Sequence, residues 1–135
     1  MFCEIVAGLR AADIVFADAH VVAFLDRSPV FKGHVLVVPT EHLVTLADLP
    51  VGELEPFFAV VQRIAACIPV ALDAHGTFVA INNVVSQSVP HLHAHVVPRR
   101  RKDGLRGFFW PRTRYIDAVD ASEFAARIRA ALGDD

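Results

Sequence analysis

Residues 91–97 read His-Leu-His-Ala-His-Val-Val, three histidines on alternate positions with only apolar residues among and after them. In a strand, successive side chains point to opposite faces, so His91, His93 and His95 share one face while Leu92, Ala94 and Val96 share the other. Such a strand has one face to pack and one to react. It follows Ser86-Gln87-Ser88, a turn-forming sequence.

The rest of the chain is consistent with an α+β domain built around that strand. Its 135 residues, 54% of them apolar, suffice for one domain with a core that needs no disulfide or metal staple. Ile14–Ala17 and His20–Leu25 are β-branched and aromatic runs that read as a hairpin, His34–Val38 as a third strand stopped by Pro39, and Thr77–Ile81 as a fourth. Phe57, Val60, Val61, Ile64 and Ala65 recur at helical spacing after Leu49-Pro50, in a helix that Pro69 is expected to kink or end. A last helix is predicted with Asp120 as N-cap, Glu123 completing a capping box and Gly133 as the stop. The expected fold is a single domain over 1–135, with a core over 1–99 and a C-terminal extension over 100–135. Its sheet is five-stranded and mostly antiparallel, with one main helix and the C-terminal helix.

No run approaches the roughly 18 uninterrupted apolar residues of a membrane span, and no basic leader precedes an apolar stretch. A cytoplasmic protein without membrane contact is expected. Cys3 and Cys67 do not form a disulfide framework, and Cys67 is expected to be a reduced core thiol. Seven basic residues and one acid lie between Arg99 and Arg114, giving +6 there and −8 elsewhere. Beside three histidines, that charge favours an anionic ligand over a merely solvated loop.

Three roles are open to the histidines. Packing alone would bury six ring nitrogens in need of partners, an expensive arrangement with no structural gain. A shared metal ion is limited by geometry, because His91 and His95 stand roughly 13 Å apart along a strand that rises about 3.3 Å per residue. An ion can use one or two of the rings only with help from His42, His34 or Cys3. The third role is nucleophilic attack by a neutral imidazole on phosphorus. His93 is then the natural nucleophile, and its second nitrogen should donate to a backbone carbonyl to fix the tautomer.

At this point the sequence resembles the histidine-triad (HIT) superfamily of nucleotide hydrolases and transferases. The resemblance rests on the triad preceded by Gln87-Ser88-Val89, on Asp26-Arg27-Ser28-Pro29 with Gly33–Pro39 and His42, and on the opening Phe2–Gly8. It implies a five-stranded sheet that dimerises into a ten-stranded one and binds a purine nucleotide with its α-phosphate at the triad. His93 would attack phosphorus to give a nucleotidyl-histidine that water resolves. His95 and Gln87 would contact phosphate oxygens, Ser88 would lie by the leaving group, and His91 and His34 would support the network. Asp26 matches the carboxylate that holds the ribose hydroxyls, although a turn role before Ser28-Pro29 is also open to it. Phe2, Ile5 and Phe24 match the walls around the base, and Asn82 is counted with the substrate-binding residues.

The chain also departs from the family pattern. Many bacterial relatives open with a Cys-x-x-Cys pair that binds a structural zinc with histidines matching His42 and His91; only Cys3 remains here. A four-ligand zinc site is therefore not expected, no metal ligand is assigned and no cofactor is required. The turn Val84-Val85-Ser86 is shorter than the family's and lacks its glycines. His95 stands where superfamily nucleotidyltransferases carry Gln, which favours hydrolysis. The expected activity is cleavage of a nucleoside monophosphate conjugate, either a phosphoramidate or a dinucleoside polyphosphate, by a homodimer. The rival readings are a nucleotide-binding protein with little turnover and an aprataxin-like enzyme of adenylated nucleic acid, the latter disfavoured by the acidity of the remaining chain.

Overall fold

The computed structural model describes residues 1–105 and 112–133. The chain forms two compact units, Met1–Asp103 and Gly104–Asp135. The first begins with a short helix, α1 (Phe2–Val6), and continues through β1 (Ile14–Ala17), β2 (Val21–Leu25), β3 (Val35–Pro39), the long α2 (Val51–Leu72), β4 (Gly76–Ile81) and β5 (Ala94–Arg99). The five strands lie in the order β1-β2-β3-β5-β4, every neighbour antiparallel. This is the α+β architecture expected from the strand pattern.

β2 and β3 read as nearly continuous apolar runs because both faces of the sheet are covered there. On one face Val21, Ala23, Val35, Val37, Leu92, Ala94 and Val96 pack against Phe57, Val60, Val61, Ile64 and Ile68 of α2. On the other, Val22, Phe24, Leu36 and Val38 pack against Phe2 and Ile5 of α1. The period of two in β2 and β3 thus sorts alternate residues between the core helix and the N-terminal helix. By length and composition α2 could cross a membrane, yet its apolar stripe is the one that covers the sheet.

Several boundaries differ from expectation. β5 starts at Ala94, so His91 and His93 precede the ladder. The cause is a change of partner: β3 pairs with β5 only from Val37↔Ala94 onward, whereas the Leu92 N–H donates to the Leu43 carbonyl at 2.6 Å. Pro69 does not end α2, which runs three residues further to a left-handed Asp73 (φ 53°), and the Ala74 N–H closes on the Pro69 carbonyl. Cys67 is exposed rather than a core thiol. α1 carries no periodic pattern long enough to announce it and owes its helix to the burial of Phe2 and Ile5.

Between β2 and β3 the chain turns through Gly33 at φ +98°, where a Cβ would collide with the Leu72 side chain and crowd Pro98. Only glycine fits this approach, and His34 follows it directly.

In the second unit α3 spans Ala118–Leu132. Its N-cap is Asp117, not Asp120: the Asp117 carboxylate accepts from the Asp120 N–H at 2.8 Å, and the Asp120 carboxylate reaches back to the Ile116 N–H at 2.9 Å. An acid at each end of this reciprocal pair does the work assigned to Asp120 and Glu123. Gly133 follows the helix, as expected. Arg106, Phe108, Phe109 and Trp110 lie outside the described residues.

Candidate active site

The extended run 91–95 carries its histidines on the side opposite Leu92 and Ala94, which are fully buried under α2. His91 and His93 are themselves 1% and 3% exposed, and His34 3%. Buried imidazoles need partners for both ring nitrogens, and those partners assign the tautomers. His93 Nδ1 lies 2.7 Å from the His91 backbone carbonyl. A carbonyl only accepts, so Nδ1 carries a proton, and in the neutral ring Nε2 is left with the lone pair. That is the tautomer a nucleophile requires.

A second chain of bonds fixes His95. The Val30 N–H donates to His34 Nδ1 at 3.2 Å, so His34 carries its proton on Nε2 and donates to His95 Nδ1 at 2.9 Å. His95 must then be protonated at Nε2. The two rings, with centroids 4.9 Å apart, therefore expose a lone pair and an N–H, an attacking atom beside a hydrogen-bond donor.

Electrostatics keep this pair of roles stable. Burial first, then the neighbouring His93 and His34 rings, push His95 down to about 4, against a smaller opposing pull from Asp26. Burial also lowers His34, again with Asp26 opposing. His91 is lowered mainly by burial, against the acceptor carbonyl of Pro39. Desolvation disfavours an imidazolium in each case, so His34 and His95 are neutral at pH 7.

A cavity of about 480 Å³ opens in front of these rings. Phe2, Ile5, Phe24, Asp26, Ser88, His93 and His95 all line it, so seven of the eleven residues singled out in the sequence meet there. Asp26 takes the turn role while also lining the cavity. One carboxylate oxygen accepts from the Ser28 N–H at 2.9 Å, and the other stands 3.8 Å from His34 Nδ1. Met1, Ala12, Leu25, Arg27, Ser28, Leu36 and Val89 complete the lining. Sequence reasoning missed them; the alternation that buries Phe24 on this face of the sheet also implicates its register partner Leu36.

The other four sit elsewhere. His34 acts through His95. His91 acts through its backbone carbonyl, its own Nε2–H being donated to the Pro39 carbonyl at 3.0 Å. Asn82 is not in the lining. Gln87 is likewise outside the lining: its Oε1 accepts from the Val84 N–H at 3.0 Å and its Nε2 donates to the Val44 carbonyl at 2.6 Å. Gln87 is thus a strut of the short turn. The basic run is also partly structural, with Arg99 on Asp103 and the Arg100 guanidinium on the Leu72 carbonyl.

The missing glycines of that turn leave a mark on the backbone. Val84 and Ser86 have φ of 71° and 61°, the left-handed region that a β-branched residue rarely enters. Such a residue costs about 1–3 kcal/mol, partly offset by the extra chain entropy glycine has when unfolded. Val84→Gly is therefore expected to raise stability by about 1 kcal/mol, measurable as an increased denaturant midpoint. An unchanged or lower midpoint would show that the turn is not strained.

Cys3, His42 and His91 also converge, although no metal ligand was assigned to them. Cys3 Sγ is 3.1 Å from His42 Nδ1 and 3.4 Å from His91 Nδ1, and the two nitrogens are 3.3 Å apart. Because His91 donates from Nε2, its Nδ1 is a lone pair aimed at the cluster. Ligands at about 2.0–2.3 Å from a tetrahedral zinc stand about 3.3–3.7 Å from one another, so thiol and imidazole donors at these separations fit such an ion.

Comparison with known proteins agrees with this geometry. The HIT domain model matches residues 9–102. An uncharacterised HIT-like protein of Methanocaldococcus jannaschii is 39% identical over 106 residues, 77% of this chain and 81% of that one. An adenosine 5'-monophosphoramidase of Candida albicans is 27% identical over 82% of this chain and 77% of its own length. The asymmetrical bis(5'-nucleosyl)-tetraphosphatase of Schizosaccharomyces pombe is 35% identical, but over 60% of this chain and 46% of its own length. A crystal structure of a HIT family member from Bacillus subtilis superposes with a TM-score of 0.90 at 32% identity, covering 100% of this chain and 98% of that one. With a family model spanning most of its length and the triad in place, the chain belongs to the HIT family.

Proposed function

We propose that the protein hydrolyses a purine nucleoside monophosphate conjugate at the α-phosphate, through a nucleotidyl intermediate on His93. The observation that carries this reading is the tautomer pair, a His93 Nε2 lone pair beside a neutral His95 Nε2–H at the mouth of an apolar cavity. The base lies between Phe2, Ile5 and Phe24, and the free oxygen of Asp26 accepts from the ribose hydroxyls. In the first step His93 Nε2 forms a bond to phosphorus as the bond to the leaving amine or phosphate breaks, the electron pair departing with that group beside Ser88. Positive charge that develops on the ring is stabilised by its Nδ1–H bond to the His91 carbonyl, and His95 donates to a phosphate oxygen. Water then attacks phosphorus, releases the nucleoside monophosphate and restores the lone pair of His93.

The two activities named among the relatives supply the two leaving groups to test. Incubation with an adenosine phosphoramidate and with a diadenosine polyphosphate is expected to release AMP from at least one, with an acid-labile adenylyl group on His93 during turnover. Tight AMP binding with neither release nor adduct would overturn the reading. Among the described residues β4 is an edge strand of the sheet, a place where another chain can pair. A second copy paired along β4 would give the ten-stranded dimer.

A further inference from the structure

A second cavity, of about 800 Å³, adjoins the first and shares Ala12, Leu25, Asp26 and Arg27 with it. Neither His93 nor His95 lines it, so it opens on the far side of Asp26 from the triad. Its walls come from the segment before β1, which brings Arg10 and Asp13, and from the connection between β2 and β3, which brings Arg27 and Lys32. Main-chain bonds fix both pieces: the Leu25 N–H donates to the Asp13 carbonyl at 3.0 Å, and the Asp26 N–H to the His34 carbonyl at 2.8 Å. Within the connection, the Ser28 N–H is held by Asp26 and the Val30 N–H by His34. The loop that carries these two cations is thus fastened by residues of the active site itself. Three cations and two carboxylates line the cavity, and their partners decide which charges are available. Arg10 is engaged by Glu4 at 2.8 Å, and one oxygen of Asp26 by Ser28. Among the described residues Arg27 and Lys32 have neither a hydrogen-bond nor an ion-pair partner in their side chains, and Asp13 is the carboxylate left to oppose them. With the base between Phe2, Ile5 and Phe24 and the ribose hydroxyls at the free oxygen of Asp26, a substituent on a ribose oxygen faces this second cavity.

We propose that the nucleotide this chain takes carries a second phosphate, on the 2' or 3' oxygen of its ribose, bound by Arg27 and Lys32 in the second cavity. The inference rests on reading the first cavity as a nucleotide site. Phosphate oxygens accept from a guanidinium as a fork and from an ammonium as a point charge, so the pair suits a phosphate monoester better than an uncharged substituent. The ribose hydroxyl that remains free still donates to Asp26. The second phosphate takes no part in bond making: His93 attacks the 5' phosphorus as before, the same leaving group departs, and the product is a nucleoside bisphosphate. Asp13 weakens the site by like-charge repulsion without closing it. The strand order sets this cavity by β1 and β2, whereas two copies paired along β4 would meet at the opposite end of the sheet, so such a dimer leaves it open.

The test is calorimetric titration of the full chain with AMP, adenosine 2',5'-bisphosphate and adenosine 3',5'-bisphosphate. At least one bisphosphate is expected to bind about tenfold tighter than AMP, the size of one charge-assisted hydrogen bond discounted for exposure, and the advantage should shrink as salt is raised. Lys32 lies outside the first cavity, so Lys32→Ala should leave AMP affinity as it is and cut the preference for the bisphosphate about threefold. Asp13→Asn should enlarge that preference, and Arg27→Ala/Lys32→Ala should abolish it; both cations are exposed on a loop, so the fold is retained. Bisphosphates bound no more tightly than AMP would overturn the second phosphate site and leave the nucleotide reading standing. A preference as large in the double variant as in the wild type would overturn the assignment to these two cations. Binding of neither AMP nor a bisphosphate would overturn the nucleotide reading, and this inference with it.

Discussion

His93→Ala is expected to lower AMP release by about 10⁴-fold, about 5–6 kcal/mol of transition-state stabilisation, while AMP still binds. The size follows from what the ring supplies. In the proposed mechanism it bonds to phosphorus, and among the described residues no other histidine lining the cavity presents a lone pair: His95 Nε2 is protonated because its Nδ1 accepts from His34. Loss of one oxyanion-type donor costs less, about 10²–10³-fold, which is the expectation for His95→Ala. The ordering of the two variants separates covalent catalysis from simple phosphate binding. Equal losses, or turnover by His93→Ala within tenfold of the wild type, would remove the nucleophile from His93. Partial rescue of His93→Gly by added imidazole would locate the deficit in the missing ring, since Phe2 borders the vacated space on one side.

That prediction was legible in the sequence because strand alternation and tautomer logic are both local. The His91 carbonyl that holds His93 belongs to the residue two positions back, so a backbone acceptor was foreseeable. Long-range pairings were not. The zinc-type cluster joins residues 39, 49 and 88 positions apart, and nothing between Cys3 and His91 encodes the distance closed by folding. The turn role of Gln87 was hidden for a related reason: the shortened turn uses both ends of its amide, one for the Val84 N–H and one for the distant Val44 carbonyl. Likewise the strand start was hidden in Leu92, whose N–H answers to Leu43 rather than to the ladder. Apolar periodicity located the five strands and α2. It could not locate α1 or the Asp117 cap, which depend on tertiary burial and on a single carboxylate.

Acid should destabilise the first unit well before its carboxylates titrate. His95 is held near 4 in the folded chain and returns to about 6.5 on unfolding. Between those values the unfolded chain binds the extra proton, so stability falls as pH falls, is fully present above about 6.5 and levels off below about 4. His34, lowered in the same direction by burial, adds to the loss. The groups facing His95 are His93 and His34, which oppose its protonation, and Asp26, which favours it by less. For His95 alone the difference amounts to about 3 kcal/mol, or about 10 °C in melting temperature for a domain of this size. Melting curves from pH 7 to pH 4, without nucleotide and with a chelator present so that metal release contributes nothing, should show this slope. His95→Gln keeps an acceptor for His34 Nε2–H but cannot titrate, so its melting temperature should fall less steeply over the same range. A slope in the variant equal to that of the wild type would mean that folding leaves the titration of His95 unshifted, so that burial beside His93 and His34 does not keep the ring neutral as the pH falls below about 6.5.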